Sequence, residues 1–365
     1  MNSKNKRRKT LILFPLFLSL LIFPEQVTAV SLSTSAHPAP VNPELRPIAS
    51  CGSISYQSIQ DAINHAPRNA TVIIAPGRYT ELLTINKTLT LLGSSPETTL
   101  LVPASQENSC AIKIIAEGVT LANLSLRNTA PGLYTTGIKI MGAHTTITDC
   151  VICDTPIGIA IWSCYTMIAH CTFHNCSDEG IALLGSNTSA CSNTHITACA
   201  FSENEDGIEL QRSSDNIISD CRFLNNTHAG IDMIESANTK NTVTGCGFIA
   251  NQGFGMYCAG ASDLQVTDCT FSSDSIMLVN TKGSIISSSD IAGLQLLRNT
   301  TVIIDRCDTM DASRISTQTS QYLLLSSSSQ MIHSNRHPLR GIVLTLTSRL
   351  QILRLLATHL TQLRM

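Results

Sequence analysis

Short segments in which apolar and polar residues alternate recur through the middle of this chain. Residues 207–210 read Gly-Ile-Glu-Leu, and residues 218–223 read Ile-Ser-Asp-Cys-Arg-Phe. A period of two places every second side chain on the same face of a strand, so each segment has one face suited to burial. The pattern predicts many short strands that bury one face against their neighbours.

These strands form an internal repeat marked by cysteine. The motif Cys-x-Phe and its variants recur at spacings of 18–28 residues, and several repeats carry an asparagine five residues later, followed by a Gly-Ile pair. No repeat contains a helical segment that could serve as a crossover. The strands can therefore stack in parallel only by coiling, and the preferred hand of β crossovers makes the coil right-handed. The repeat position is occupied by Cys150, Cys171, Cys199, Cys221, Cys246, Cys269, Ser289 and Cys307.

The fold class predicted from this repeat is all-β, a right-handed parallel β-helix over residues 51–310. Apolar residues at helical spacing between Ser58 and Pro67 predict a short helix that caps the N-terminal end of the stack. The first strands are predicted at residues 71–74, 83–85 and 89–93, with a turn at residues 75–81.

Both ends of the chain differ from the repeat. Basic residues precede a 13-residue apolar stretch and a small-residue cleavage sequence, which is typical of a signal peptide over residues 1–29. Residues 30–50 contain four prolines and predict a linker, and residues 311–365 predict a tail that caps the stack or forms an amphipathic helix. We expect a secreted or cell-surface protein, periplasmic in a Gram-negative host. Its membrane contact would come only through the signal peptide or, as an alternative, the tail.

Composition excludes one class of partner and assigns a role to the cysteines. The formal net charge of -2 and an aromatic content of 4% offer neither a basic surface nor stacking platforms, so we expect no nucleic-acid partner. Seven of the 14 cysteines fall at the repeat position. We interpret them as small buried apolar residues rather than as metal ligands or redox groups. Their position leaves the thiol state open.

Three motifs near the start of the repeat occur together in a known superfamily. They are Ile-Gln-Asp-Ala-Ile at residues 59–63, Ala-Pro-Gly-Arg-Tyr-Thr-Glu at residues 75–81 and Leu-Thr-Leu-Leu-Gly at residues 89–93. This segment resembles the opening of pectin-lyase-like proteins. With the Cys-x-Phe, Asn and Gly-Ile repeats, residues 51–307 are similar to the NosD-type family of carbohydrate-binding and sugar-hydrolysis β-helices.

This resemblance implies the β-helix fold and a polysaccharide or cell-surface glycan as partner. The superfamily includes esterases, lyases, epimerases, glycosidases and noncatalytic surface proteins, so the resemblance does not select a reaction. The sequence lacks the Asp-Phe-Ile-Phe-Gly type motif of the esterases and the Asp-Pro-His-Asp motif of the mannuronan epimerases. Residues 228–232 nevertheless place a histidine and an aspartate on a comparable strand.

Aligning the repeats on their glycines predicts a column of outward side chains in successive coils. Glu209 and Asp232 are neighbours in this column. Stacked strands lie ~4.8 Å apart, and two carboxylates at that distance repel each other and raise one pKa unless a cation or a proton intervenes. The column consists of Lys139, Ala160, Ala182, Glu209, Asp232, Tyr257, Met277 and Gln295.

We interpret the acidic part of this column and its flanking residues as the candidate site. It would supply a general acid and base for glycosidic cleavage, or the base of a lyase or an epimerase. The resemblance also implies Ca²⁺ bound through carboxylates, as in polysaccharide lyases of this fold, and no other cofactor is predicted. The predicted catalytic residues are Glu209, Asp232, His228 and Arg212, the predicted substrate-binding residues are Glu205, Asp206, Gln211 and Tyr257, and the predicted Ca²⁺ ligands are Asp178, Glu179 and Asp206.

Two alternatives stay open at this point. The acidic residues could simply keep a long exposed sheet soluble and unpaired with other chains. The whole protein could be a noncatalytic cell-surface or assembly scaffold of the NosD type. Bound Ca²⁺ or released sugar would favour the site, whereas surface retention without turnover would favour the scaffold.

Overall fold

The computed structural model describes residues 48–103, 106–186, 191–234 and 237–307, together with three strands beyond residue 314. The predicted signal peptide and nearly all of the predicted linker lie outside these residues, as does the predicted helical face of the tail. Within the described part the chain forms a right-handed parallel β-helix, which confirms the predicted fold class.

A hairpin and one helix precede the first coil. Glu81 fixes the helix N-terminus, because its carboxylate accepts hydrogen bonds from Ser58 Oγ at 2.7 Å and from the Ile59 N–H at 2.8 Å. The apolar face of the helix is buried, as the sequence predicts. These elements are β1 (Ala49–Cys51), β2 (Ile54–Tyr56) and α1 (Ile59–His65).

Each complete coil then contributes three short strands, one to each face of the stack. A strand of one coil pairs in parallel with the equivalent strands of the coils before and after it. The predicted turn at residues 75–81 contains a short strand of its own. The first five coils consist of β3 (Thr71–Ile74), β4 (Gly77–Tyr79), β5 (Leu83–Ile85), β6 (Thr90–Leu92), β7 (Thr99–Leu101), β8 (Cys110–Ile114), β9 (Thr120–Ala122), β10 (Ser125–Arg127), β11 (Thr136–Ile140), β12 (Thr146–Thr148), β13 (Val151–Cys153), β14 (Ile157–Ile161), β15 (Met167–Ala169), β16 (Thr172–His174) and β17 (Glu179–Leu184).

The later coils follow the same order, with two differences. They consist of β18 (Cys191–Ser192), β19 (His195–Thr197), β20 (Ala200–Ser202), β21 (Asp206–Gln211), β22 (Ser213–Ser214), β23 (Ile217–Ser219), β24 (Arg222–Leu224), β25 (Ala229–Ile234), β26 (Thr242–Thr244), β27 (Gly247–Ile249), β28 (Phe254–Ala259), β29 (Gln265–Thr267), β30 (Thr270–Val279), β31 (Ser284–Ser287), β32 (Asp290–Leu297), β33 (Thr301–Asp305), β34 (Ile315–Gln318), β35 (Gln321–Ser326) and β36 (Ile342–Thr345). Two short extra strands, β18 and β22, pair with each other, and two long strands, β30 and β32, each span two faces.

The phenylalanines of the repeat form a continuous stack in the core. Neighbouring rings lie 4.4–5.0 Å apart between centroids and are within 8° of parallel. Aromatic side chains bury more apolar area than other residues, so the stack fixes the second face of each coil to the next. Its members are Phe173, Phe201, Phe223, Phe248 and Phe271, all buried.

Buried asparagines line the turn between the second and third faces. The Oδ1 of Asn226 accepts hydrogen bonds from the Asn204 backbone N–H at 3.1 Å and from Asn204 Nδ2 at 3.0 Å. Asn251 accepts from Asn226 in the same way, and Asp274 ends the series by accepting from Asn251. We call Asn204, Asn226, Asn251 and Asp274 the amide ladder. The structural role predicted for these asparagines is confirmed.

All 14 cysteines lie within the described residues, and none of them forms a disulfide there. The repeat cysteines from Cys150 to Cys269 are at most 2% exposed. Their Sγ–H groups donate to the backbone carbonyl two residues earlier, as Cys199 does to Thr197 at 3.3 Å. Ser289 makes the same bond and also accepts from the Cys269 N–H at 3.1 Å. The interpretation of this column as small buried residues is therefore confirmed.

Parallel strands continue beyond residue 310, where the cysteine repeat predicts that the β-helix ends. β35 pairs with β33 and β36, and β34 pairs with β32. The parallel pairing therefore extends past the last cysteine of the repeat. Among the described residues, no helix has the length and apolar character needed to cross a membrane.

Candidate functional site

The register between coils confirms the predicted outward column. Glu209 on β21 pairs with Asp232 on β25, and Asp232 pairs in turn with Tyr257 on β28. Three residues before Glu209, Asp206 at the start of β21 pairs with Glu179 on β17. We call Glu179, Asp206, Glu209, Asp232 and His228, which directly precedes β25, the outer cluster.

The carboxylates of the outer cluster face away from the core but are not exposed. Asp232 is 4% exposed, Asp206 6%, Glu179 7% and Glu209 9%. Removing a carboxylate from water is costly unless the charge is paired or neutralised. The alternative that these residues keep an exposed sheet soluble is therefore wrong for this group.

His228 joins two of the carboxylates. Its Nδ1 lies 2.8 Å from Asp206 Oδ1 and 3.6 Å from Asp232 Oδ2. Asp206 Oδ1 also accepts a hydrogen bond from the Ala229 N–H at 2.9 Å. The imidazole itself is 43% exposed. His228 is therefore the member of the cluster that an external molecule can reach most easily.

Burial and charge together shift the pKa values of this group upward. The hydrogen bond to Asp206 raises the pKa of His228 to about 9, with the Asp206 and Asp232 charges adding to it. Burial first, and then the charge of Asp206, raise the pKa of Asp232 to about 8. Near neutral pH the imidazole is thus a cation and the Asp232 carboxyl holds a proton.

Glu179 extends the cluster by one coil. Burial, followed by the charge of Glu209, raises its pKa to about 10. Neither Glu179 Oε2 nor Asp232 Oδ1 has a hydrogen-bond partner in the described part of the chain, although both atoms are buried. Two buried oxygens without partners next to other acids indicate a site that is built to hold protons or a cation.

The structure brings most of the predicted site residues together. Gln211 Nε2 donates to Glu209 Oε1, and the Tyr257 ring lies beside His228 with centroids 6.1 Å apart. Glu205 lies one coil before His228 in the stack, and the His228 backbone N–H donates to the Glu205 carbonyl at 2.9 Å. Arg212 lies one residue beyond β21 with a left-handed backbone (φ 48°), at the end of the strand that carries Glu209.

The outer cluster fits a metal ion as well as protons. Asp206, His228 and Asp232 each offer one ligand atom, and these atoms lie within 4.8 Å of one another. An imidazole beside two carboxylates suits zinc or manganese better than Ca²⁺, which prefers oxygen ligands. Asp178 and Glu179 lie next to Asp206 across adjacent strands, and their assignment as Ca²⁺ ligands stays a prediction.

A loop that the sequence pattern does not predict lies beside this site. Residues 128–135 connect β10 to β11, and the exposed Leu133 and Tyr134 lie at its tip. Together with three neighbouring coils the loop lines an open pocket of about 390 Å³. Its proline and glycine content marks a turn in the sequence, but nothing in that pattern shows which face it covers.

Comparisons with known proteins support the fold. A family model described as the right handed beta helix region matches residues 110–271. No curated protein sequence matches this chain. The resemblance to pectin-lyase-like proteins is confirmed at the level of the fold.

Several solved structures share the architecture at low sequence identity. The catalytic domain of Agl-KA is 12% identical, with a TM-score of 0.53 over 81% of this chain and 66% of that one. A mannuronic acid specific polysaccharide family 6 lyase from human gut microbiota is 12% identical, with a TM-score of 0.51 over 80% of this chain and 89% of that one. The alginate lyase AlyGC is 13% identical, with a TM-score of 0.51 over 79% of this chain. This chain spans 48% of AlyGC, about half of its length.

Proposed function

We propose that this right-handed β-helix binds a polysaccharide along the outer face of β17, β21 and β25 and hydrolyses a glycosidic bond at the outer cluster. The observation that carries the proposal is the half-exposed imidazole of His228, held by Asp206 at 2.8 Å among carboxylates that are less than a tenth exposed. Desolvated, oriented titratable groups with shifted pKa values are typical of catalytic sites.

His228 is the proton donor in this proposal. Its Nδ1 is engaged by Asp206, which leaves Nε2 as the nitrogen that can reach a substrate. A raised pKa keeps the ring protonated near neutral pH, so it can transfer a proton to the glycosidic oxygen as the bond to the anomeric carbon breaks. Water then adds to that carbon, and its proton is returned to the imidazole.

The carboxylates stabilise the other half of the reaction. Glycosidic cleavage develops positive charge on the sugar ring, and fixed negative charge nearby lowers the energy of that state. Glu209 is oriented by Gln211, and Asp206 is fixed by His228 and the Ala229 N–H. These groups need no reorganisation when the charge appears.

The same features argue against elimination and epimerisation, which require a base to remove a carbon-bound proton. The two predicted base candidates are His228, whose pKa is raised to about 9, and Arg212, whose guanidinium stays protonated in proteins. Neither group accepts a proton near neutral pH. Hydrolysis is therefore the reaction that the protonation states favour.

The proposal also covers the ligand of this face and the compartment in which the protein meets it. Solved β-helices of similar architecture include lyases named for alginate and mannuronic acid, which supports a glycan as the ligand of this outer face. The predicted signal peptide, residues 1–29, supports export, and we propose that the protein meets its glycan outside the cytoplasm.

The test is hydrolysis by the purified mature chain of a panel of neutral, amino and uronic polysaccharides, with and without divalent cations. Reducing ends and the absorbance of unsaturated products are measured together. We expect reducing ends without unsaturated products, and a loss of about 100-fold or more in His228→Gln, the range typical of a removed general acid.

His174→Gln is the matched control for this variant. His174 is 45% exposed, and its Nε2 lies 3.9 Å from Glu203 Oε2, but it belongs to the second face. Its substitution should leave turnover unchanged. Unsaturated products would show elimination instead of hydrolysis. Failure of every polysaccharide to react, with folded protein, would reject the enzyme in favour of the noncatalytic scaffold.

A further inference from the structure

Four apolar side chains on the outer surface form a row that leads to the outer cluster. Ile115, Met141 and Trp162 are 44%, 48% and 42% exposed, and Leu184 is partly exposed. Exposed apolar residues that are scattered singly need no explanation, whereas contiguous ones mark binding surfaces. We call these four residues the apolar stripe.

The register between coils makes the apolar stripe continuous. The strands β8, β11, β14 and β17 pair in parallel, and each stripe residue lies one position beyond the last inward-facing residue of its strand. The Met141 N–H donates to the Ile114 carbonyl at 2.8 Å, so backbone pairing continues into the stripe itself. Leu184 pairs with Gln211, whose Nε2 donates to Glu209 of the outer cluster. The stripe therefore ends at the candidate site.

Trp162 supplies an aromatic platform within the stripe. It is the only tryptophan of the chain, and Lys139 Nζ lies 4.4 Å from the centroid of its ring. Trp162 keeps its 42% exposure with this ammonium group in place. A sugar ring has an apolar face of C–H groups and an edge of hydroxyl groups. The indole can pack against such a face, while the ammonium group, which has three donors, binds the hydroxyls.

The spacing of the stripe suits an extended polysaccharide. Neighbouring coils are ~4.8 Å apart, close to the length of one sugar unit in an extended chain. Three such steps separate β14 from β25, so Trp162 lies ~14 Å along the stack from the coil that carries His228 and Asp232. A chain that is cleaved at the outer cluster can therefore reach Trp162 about three units from the cleaved bond.

We propose that Trp162 and the apolar stripe form a distal subsite that stacks a sugar ring of the same polysaccharide, so that the substrate is a long chain rather than a short oligosaccharide. This subsite rests on the proposed function and deepens it by naming the substrate class. Only a chain that spans the distance from His228 to Trp162 gains the stacking contact. A shorter sugar binds at the outer cluster alone.

The fluorescence of the single tryptophan reports directly on this subsite. The mature chain carrying His228→Gln, which prevents turnover in the proposed mechanism, is titrated with dimers and hexamers of glucose, of N-acetylglucosamine and of mannuronate. We expect a hexamer to quench and blue-shift the tryptophan emission, and the matching dimer to leave it unchanged. Calorimetry should show that hexamer binding about tenfold more tightly than its dimer, the scale of one stacked aromatic contact.

Substitution of the platform should remove this dependence on chain length. In Trp162→Ala we expect the hexamer affinity to fall to that of the dimer, and Trp162→Phe, which keeps an aromatic ring, should retain part of the preference. Met167→Ala is the matched control, because Met167 is 47% exposed but belongs to β15 on the first face. Its preference for the hexamer should equal that of the parent.

Three results would overturn the subsite while His228-dependent release of reducing ends still supported hydrolysis. They are equal affinity for hexamers and dimers, a preference that survives in Trp162→Ala, and an emission that no hexamer changes. Emission that responds to protein concentration but not to sugar would also overturn it, because a second copy of the chain would then cover the stripe. Quenching by a hexamer without turnover in the parent would instead support the subsite and reject the hydrolase.

Discussion

The amide ladder and the outer cluster lie on the same coils, yet they treat stacked polar groups in opposite ways. Asn204 and Asn226 are two residues away from Asp206 and His228, and both groups are repeated in register. In the ladder each amide donates to one neighbour and accepts from another. In the outer cluster two carboxylate oxygens are buried and have no hydrogen-bond partner among the described residues.

This difference comes from the chemistry of the side chains. An amide carries both donors and acceptors, so identical amides satisfy each other along a stack of any length. An ionised carboxylate only accepts, so stacked carboxylates require protons, an imidazolium or a foreign cation. The hydrogen bonds of the amide ladder are thus satisfied within the fold. The outer cluster instead has buried carboxylate oxygens that a proton, a cation or a ligand can still pair with.

Breaking the ladder should have the largest effect on stability. Asn226→Ala leaves the Asn204 N–H without its described acceptor and removes the Nδ2 donor to Asn251 Oδ1 and to the Phe201 carbonyl, and each buried unpaired group costs ~1–3 kcal/mol. The backbone N–H of residue 226 still donates to Asn251 Oδ1. We expect the free energy of unfolding to fall by about 3 kcal/mol or more, measured by denaturant titration. Thr227→Ala, an exposed neighbour, is the control and should change little. A loss below ~1 kcal/mol in Asn226→Ala would contradict the account.

The outer cluster should make stability fall as pH rises. Asp232 and Glu179 have folded-state pKa values raised to about 8 and about 10, so the folded protein keeps protons that the unfolded chain releases. The stabilisation is complete below about pH 4, where unfolded carboxyls are protonated, and is lost as pH passes the two folded values. The pKa of His228 is raised to about 9, so its contribution to stability is also lost as the pH rises.

We expect the free energy of unfolding to decrease by ~2 kcal/mol or more between about pH 4 and pH 10. The double variant Glu179→Gln/Asp232→Asn should flatten most of this slope and be more stable than the parent at high pH. Thermal unfolding across a pH series measures both. The account fails if parent and double variant lose stability in parallel, or if the parent gains stability with rising pH.

The smallest expected effect is on a single titration. Asp206→Asn removes the main hydrogen-bonding charge at His228, so the pKa of His228 should move down toward its ordinary value by about one unit, equivalent to ~1.4 kcal/mol. Asp232→Asn should lower it less, because Asp232 Oδ2 lies 3.6 Å away rather than 2.8 Å. NMR titration of the imidazole resonances gives both values. An unchanged pKa in Asp206→Asn would remove Asp206 from this role.

The sequence predicts the architecture well because the repeat constrains it. A period of two and one glycine per coil are enough to place Glu209 beside Asp232, as the observed register confirms. The bond between Asp206 and His228 is harder to foresee. Asp206 lies one residue before its repeat glycine and His228 two residues before, so simple alternation assigns them to opposite faces.

The burial of the outer carboxylates and the position of the loop at residues 128–135 could not be predicted from the sequence, for a different reason. The exposure of the outer carboxylates depends on surroundings that a strand pattern does not encode. The same limit applies to the pocket, because residues 128–135 read only as a turn. The repeat also does not predict a second buried asparagine pair, Asn216 and Asn241, because its position lies outside the cysteine-marked motif.

The cysteine column bears on how the protein matures. In parallel strands, in-register side chains point the same way at ~4.8 Å, wider than the Cβ separation of about 3.5–4.5 Å that a disulfide needs. The folded coils therefore hold these thiols apart and shield them from oxidants. If the chain is exported as proposed, its 14 thiols can cross-link at random in an oxidising compartment before the coils form. Rapid folding, one coil after another, would then bury the thiols before they oxidise and so increase the fraction of native protein, without a need for disulfide exchange.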